Sequence, residues 1–270
     1  MSAYPHTVWR LIWSSPVDGA TNMAVDEAIL EEVVSGRSVP TLRLYAWEPA
    51  CLSLGRMQAA TDADREALQA RGIDLVRRPT GGKAILHCDE LTYSVAAPEG
   101  EPRVAGPVLE SYRRLCAGLV SGLERLGVTG VSADCQVGDG PPGGPVCFQV
   151  PSDYEMTVGG KKLVGSAQMR VRGGVLQHGA LPLNGDIARI CPLLTADPDP
   201  AGVRARATTL AQVLGRTVSW QAAGEALAAG FAEVLALSWV VGDLSAGERT
   251  RAAELREEKY ASEAWTSRVD

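Results

Sequence analysis

Four short stretches of this sequence carry the residue types that could do chemistry. The first is Arg77-Arg78-Pro79-Thr80-Gly81-Gly82-Lys83-Ala84-Ile85-Leu86-His87. A strand ends in two arginines, turns through a glycine pair and runs into an apolar stretch that closes on a histidine. Glycines let backbone approach a ligand closely, and adjacent cations suit a carboxylate, a phosphate or an acidic carrier. The alternative is a hairpin whose arginines are merely solvated, and the pattern is neither a Walker nor a dinucleotide fingerprint. The second stretch is Val146-Cys147-Phe148-Gln149-Val150-Pro151-Ser152-Asp153-Tyr154-Glu155. Cys147 follows a Gly/Pro-rich loop and precedes an expected strand, which can present a thiol at a cleft. The thiolate is the nucleophile, so catalysis there needs a nearby cation to lower a free pKa of roughly 8.5. Lys162, one hairpin strand away, is a candidate for that cation. A lone cysteine otherwise reads as a small buried hydrophobe.

The third stretch, Lys161-Lys162-Leu163-Val164-Gly165-Ser166-Ala167-Gln168, sits on an expected strand. Alternation sends Lys161 and Lys162 to opposite faces, so at most one points into a site. Gly165, Ser166 and Ala167 are small and leave room for a ligand lying across the strand. The fourth, Leu176-Gln177-His178-Gly179, lies on the next strand, where a lone histidine is either a hydrogen-bonded structural group or a catalyst. No G-x-S-x-G elbow supports a serine hydrolase. No HExxH or carboxylate–histidine cluster points to a metal, so none is expected.

Positioning these residues requires both helices and strands. Apolar periodicity predicts helices over Asn22–Val34, Asp62–Ala70, Val108–Leu126, Trp220–Leu235 and Glu248–Tyr260, the last capped by Ser245. Strands are expected at Thr41–Ala46, Cys51–Gly55, Ile73–Arg77, Thr92–Ala96, Tyr154–Val158, Lys162–Arg170 and Val175–Leu181. Gly159-Gly160 signals a two-residue hairpin that sets Lys162 opposite Thr157, and Arg172-Gly173-Gly174 a second turn. Gly138–Pro145 holds too many Gly and Pro for a regular element. Strands that follow one another through tight turns favour a mixed α/β fold of the α+β kind, its sheet mixed and largely antiparallel.

The 270 residues suffice for a sizeable core, and 46% apolar with 21% charged residues is an ordinary globular balance. A net charge of −6 argues against a nucleic-acid partner. Met1–Arg10 shows no cationic stretch before an apolar run, and no run reaches membrane-spanning length, so a cytoplasmic protein off the membrane is expected. Cys51, Cys88, Cys116, Cys135, Cys147 and Cys191 lack paired spacing and read as reduced thiols.

Taken in order, the segments resemble the lipoate–protein ligase A family and, within it, the cysteine-dependent octanoyltransferases. The resemblance runs from DGATNMAVDEA (18–28) and CLSLGR (51–56) through RRPTGGKAILH and ELTYSV (90–95). It continues in CFxxPSxYE (147–155), KLVGSAQ (162–168) and LQHG (176–179), with a weaker echo at Lys259-Tyr260 and Trp265. It implies the fold of biotin and lipoate ligases, a mixed sheet flanked by helices with the acyl chain in a tunnel. The catalytic domain would span 1–240, with a C-terminal helical extension over 241–270. Cys147 falls on the family's nucleophile and Lys162 on its site lysine. Arg78, Gly81, Gly82 and His87 fall on the acyl-binding loop, with Ser166, Gln168 and His178 completing the substrate-binding set. The implied donor is octanoyl-acyl carrier protein, and the acceptor is a lysine of the glycine cleavage H protein or another lipoyl domain, with no cofactor. Two departures stand out: Lys83 replaces an expected glycine or arginine, and Cys88 replaces an expected aspartate, placing a second thiol near the expected site. Three rivals remain at this level: an ATP-dependent lipoate ligase, an amidotransferase between lipoyl proteins, and a non-catalytic acyl- or carrier-binding protein.

Overall fold

The computed structural model describes residues 4–133 and 155–269. Eleven strands and eight α-helices occur among the described residues. The strands are β1 (Thr7–Trp13), β2 (Thr41–Tyr45), β3 (Cys51–Leu54), β4 (Asp74–Arg77), β5 (Ile85–His87), β6 (Glu90–Pro98), β7 (Val131–Ser132), β8 (Glu155–Val158), β9 (Lys161–Val171), β10 (Gly174–Pro182) and β11 (Leu237–Val241). The helices are α1 (Gly19–Val34), α2 (Arg65–Ala70), α3 (Val108–Arg125), α4 (Pro200–Arg206), α5 (Leu210–Leu214), α6 (Trp220–Leu235), α7 (Ala246–Leu255) and α8 (Glu263–Thr266). None of the described helices is long and apolar enough to cross a membrane.

Side chains that satisfy free backbone N–H groups set the helix starts. The Asp18 carboxylate accepts from Thr21 N at 3.0 Å and opens α1, and Ser219 caps α6 in the same way. Ser245 and Glu248 form a reciprocal capping box at α7. Asp64 caps α2, so the helix expected from Asp62 begins after a 3-10 turn at Ala60–Asp62. The helix expected to run to Tyr260 ends instead at Leu255 and continues as a π-turn over Arg256–Tyr260. There the Tyr260 hydroxyl and Lys259 Nζ both reach the Glu27 carboxylate of α1.

The main sheet has the order β11-β1-β2-β6-β10-β9-β8-β7, and a smaller sheet has the order β4-β3-β5. β1 pairs in parallel with both β2 and β11, and β3 pairs in parallel with β4; the other pairings are antiparallel. The mixed, largely antiparallel sheet is therefore observed. The β8–β9 hairpin turns at Gly159-Gly160, both at positive φ, and sets Thr157 opposite Lys162 as expected. Tyr154, expected to start that strand, lies outside the described residues. α3 and α6 cover one face of the main sheet. Their backbones meet at glycines: a Cβ on Gly230 would lie 2.3 Å from Gly122 N and 2.4 Å from the Gly118 carbonyl oxygen. α1 covers the other face beside the small sheet, with Met23, Ala24 and Ile29 buried.

Candidate active site

A cavity of about 480 Å³ lies between the two sheets. Its floor is the main sheet, at Gly165–Gln168 of β9 and His178–Ala180 of β10, where small side chains leave space as the sequence suggested. The loop after β4 forms its roof, with Arg78, Gly81, Gly82 and Lys83. Tyr45, Trp47, Thr92 and His87 close one end, and Met23 of α1 contributes to the wall. The seven substrate-binding residues expected from sequence therefore converge on one space, although they come from three segments.

The roof is held by buried polar side chains. Arg78 is not solvated. Its guanidinium donates to the Ser53 carbonyl at 2.8 Å, to Ser53 Oγ at 2.6 Å, and to the carbonyls of Gly81 (3.1 Å) and Lys83 (3.0 Å). The arginine thus folds its own loop around itself. Gly82 adopts φ +94°, and its carbonyl passes so close to Gly55 that a Cβ there would lie 1.8 Å from the oxygen. Arg77 is fully buried and faces the other way. It donates to the carbonyls of Thr266 (2.6 Å), Gly55 (2.8 Å) and Gln58 (2.5 Å), tying the C-terminal segment to the loop after β3.

Both histidines belong to carboxylate–imidazole–hydroxyl relays. His87 Nδ1 lies 2.6 Å from Glu90 and its Nε2 lies 2.6 Å from Ser53 Oγ, so the relay ends on the hydroxyl that Arg78 grips. Trp47 stacks on the His87 ring at 3.9 Å and donates its indole N–H to Thr92 Oγ1. His178 Nε2 lies 2.6 Å from Thr80 Oγ1 in the roof, and its Nδ1 lies 3.4 Å from Asp26 of α1. Burial pushes the His178 pKa below its ordinary value, although Asp26 pulls the other way. A neutral ring that donates from Nδ1 leaves Nε2 to accept from Thr80. Asp26 is itself buried, which alone would raise its pKa. Arg43 at 2.8 Å, with help from His178, holds it low instead. Tyr45 and Ser94 each donate to Asp26 at 2.8 Å. Both relays end on the roof loop, one directly at Thr80 and one through Arg78.

Gln168 Nε2 donates to Gln177 and Ser111, and Ser166 Oγ lies 2.7 Å from the Tyr93 hydroxyl. These two residues border the cavity while linking the floor to α3 and β6. Lys162 is buried, three residues before Gly165, and its carbonyl accepts from Thr208 N at 3.0 Å. Lys161 is exposed. Glu155 pairs with Gly165, so β8 begins beside the cavity floor. Cys147, with the rest of 134–154, lies outside the described residues. Cys88 borders two other clefts, and burial pushes its thiol up to about 11. Cys51 is fully buried and its thiol is also raised. Sequence reasoning missed Trp47, Thr80, Asp26, Ser53 and Glu90 as site residues. All of these but Trp47 stand inside the motif stretches given above. No local pattern marks a carboxylate whose partner is 152 positions away.

Residues 18–232 match the model of the lipoyl protein ligase A/B catalytic domain. The chain belongs to this family. Among its relatives, the octanoyltransferase LipM of Kyrpidia tusciae is 44% identical, over 96% of this chain and 98% of that one. The octanoyltransferase LipM of Moorella thermoacetica is 43% identical, over 98% and 99%. Among solved structures, protein Ta0514 of T. acidophilum with bound lipoic acid superimposes with a TM-score of 0.81 at 25% identity, covering 97% of this chain and all of that one. A lipoate-protein ligase A bound with ATP gives 0.82 at 24% identity, covering 97% and 99%. The biotin/lipoate ligase fold expected from the sequence is thus the fold observed.

Proposed function

We propose that this chain takes octanoyl from octanoyl-acyl carrier protein onto Cys147 as a thioester and passes it to a lysine of a lipoyl domain, the glycine cleavage H protein foremost. The chain is an octanoyltransferase, as are relatives that match it at about 40% identity along nearly their whole length. The observation that carries the reading is the cavity. It is mostly apolar and floored by small residues, and it fits a slim apolar chain rather than a bulky or charged ligand. Burying the methylenes of an octanoyl group there contributes roughly 5 kcal/mol, at about 0.8 kcal/mol each.

In the first half-reaction the Cys147 thiolate attacks the donor's thioester carbonyl. A carbon–sulfur bond forms, the donor's carbon–sulfur bond breaks, and the carrier's sulfur leaves as a thiolate that takes a proton from solvent. In the second, the neutral amine of the acceptor lysine attacks the enzyme thioester, its carbon–sulfur bond breaks, an amide forms as the nitrogen gives up a proton to solvent, and Cys147 departs as thiolate. The first exchange is nearly balanced and the second runs downhill, so direction comes from the amide without ATP or any cofactor. Lys162 supplies the positive charge that favours the thiolate and steadies each oxyanion. Arg78, Gly81, Gly82, His87, Ser166, Gln168 and His178 shape the acyl site. Residues 241–270 act as an extension of a catalytic domain spanning 1–240, bracing the roof loop through Arg77. The reading places the reaction in the cytoplasm.

The test is intact mass after incubation with octanoyl-acyl carrier protein and no ATP. Wild type gains one octanoyl group that hydroxylamine releases, and Cys147→Ala gains none. No adduct without ATP, but transfer from free octanoate with it, overturns the cysteine route in favour of a ligase.

A further inference from the structure

The acyl cavity opens where the tip of the roof loop meets the loop after β3. Gly81 and Gly82 are exposed there, and Met57 is 71% exposed, the most open of the large apolar side chains among the described residues. Its unbranched thioether suits contact with an apolar side chain of a partner. Beside this mouth lies a second cleft of about 350 Å³, between α1, the end of β9 and the C-terminal segment. Alternation puts its Met169 and Val171 on the face of β9 that carries Gly165 and Ala167 in the cavity floor. Arg56 and Pro79 line the cleft and are the chain neighbours of Met57 and Arg78, which line the cavity, so the cleft adjoins the mouth.

Positive charge is in excess here. Lys259 is held by Glu27 at 2.6 Å, and Arg172 and Arg251 share Glu31. Arg56, Lys83 and Arg268 have no carboxylate within ion-pair distance among the described residues. Arg268 lies over the Trp265 ring at 4.6 Å, and Trp265 walls the cleft. The whole chain carries a net charge of −6 and repels anions at long range. With charges screened over about 8 Å, an anionic partner settles only where the local sign is reversed.

The two proteins of the transfer differ in what they bring to such a surface. The donor is an anion at the point of delivery, its acyl arm joined through a phosphodiester to an acidic carrier. The acceptor presents a lysine, whose ammonium these cations repel. We infer that Arg56, Lys83 and Arg268, with Met57 beside them, form the dock for the acidic carrier that brings the acyl thioester. Carboxylates of the carrier meet the three cations, an apolar side chain covers Met57, and the arm enters between Met57 and the Gly81-Gly82 tip. The inference rests on the acyl-transfer reading above: the cavity reads the acyl group and the dock reads its carrier.

The experiment compares loading from octanoyl-acyl carrier protein with loading from octanoyl-pantetheine, which has the same thioester and no carrier. It uses wild type, Arg56→Lys, Arg56→Glu and the double variant Arg56→Glu with Arg268→Glu, read by intact mass. The double variant loses about thirtyfold in kcat/KM for the carrier, through KM, and stays within about twofold for octanoyl-pantetheine; Arg56→Lys keeps both rates. Raising NaCl from about 50 to 300 mM slows wild-type loading from the carrier several-fold and leaves the small thioester unaffected. Equal losses with both donors, or no loss with the carrier, overturn the inference and leave the function standing. Charge reversal that slows only the transfer from preloaded enzyme to a lipoyl domain gives the surface to the acceptor and also overturns it. If wild type loads from neither donor, the transfer reading falls, and calorimetric binding of the unacylated carrier decides the dock. Binding weakened by the double variant upholds it, and binding that ignores the charges, or none, overturns it.

Discussion

At the scale of single residues, the roof loop is pinned by two imidazoles, and one of them, His178, is shifted from its ordinary titration range. Its folded pKa lies below the ordinary 6.5, so between those values the unfolded chain binds more protons than the folded one. Stability from this group is complete above pH 6.5 and is lost as the pH falls through the lower, folded value. The melting temperature should therefore fall as the pH drops below about 6.5, and His178→Gln should flatten that slope; an unchanged slope in the variant assigns it to other groups. Cys88 gives a second test. With its thiol at about 11, iodoacetamide at pH 7.5 should modify Cys147 well before Cys88. Cys88→Ser should keep octanoyl loading within about twofold, whereas simultaneous labelling of both would contradict the thiol's assigned environment. The glycines, Arg78 and both histidines were legible in the sequence because each stands in a contiguous motif. Trp47 was not, because its place at the site comes from stacking on His87 and bonding Thr92, both distant in sequence.

At the scale of elements, two kinds of glycine separate cleanly. Gly159 and Gly160 are read directly from sequence, since a two-residue hairpin needs positive φ. Gly118, Gly122 and Gly230 are invisible there, because their function is to let α3 and α6 touch backbone to backbone. Gly230→Ala should cost about 3 kcal/mol by forcing the helices apart, lowering the melting temperature by roughly 6–12 °C for a chain this long. A calorimetric shift under 2 °C would mean the helices separate freely. The stretch 187–214 was unreadable for a related reason. It holds a 3-10 segment interrupted by Pro192 and the short helices α4 and α5, and helical periodicity needs about three turns to emerge. β1 and β11 were also missed, although their pairing carries the chain's two ends.

At the scale of the whole molecule, the acyl site depends on remote ends. Arg77 of β4 holds the Thr266 carbonyl, the Trp265 indole N–H donates to the Arg77 carbonyl at 3.0 Å, and Ala60 N bonds the Val269 carbonyl. Arg77→Met leaves several buried carbonyls without a donor and should cost on the order of 3 kcal/mol. Removal of residues 262–270 should lower octanoyl loading at least tenfold while the far-UV spectrum stays near that of the full chain. Full activity in the shortened chain would show that the latch is ornamental.

The same latch fixes an order of events during synthesis. β1 leaves the ribosome first, yet one of its two neighbours in the sheet, β11, is made some 230 residues later. Two of the carbonyls that hold Arg77, those of Trp265 and Thr266, come later still. At 5–20 residues per second, β1 waits roughly ten seconds or more with one flank open. A ribosome stalled before Trp265 holds a polypeptide whose Arg77 lacks these partners beneath the roof loop, so a product stopped there is a weaker enzyme.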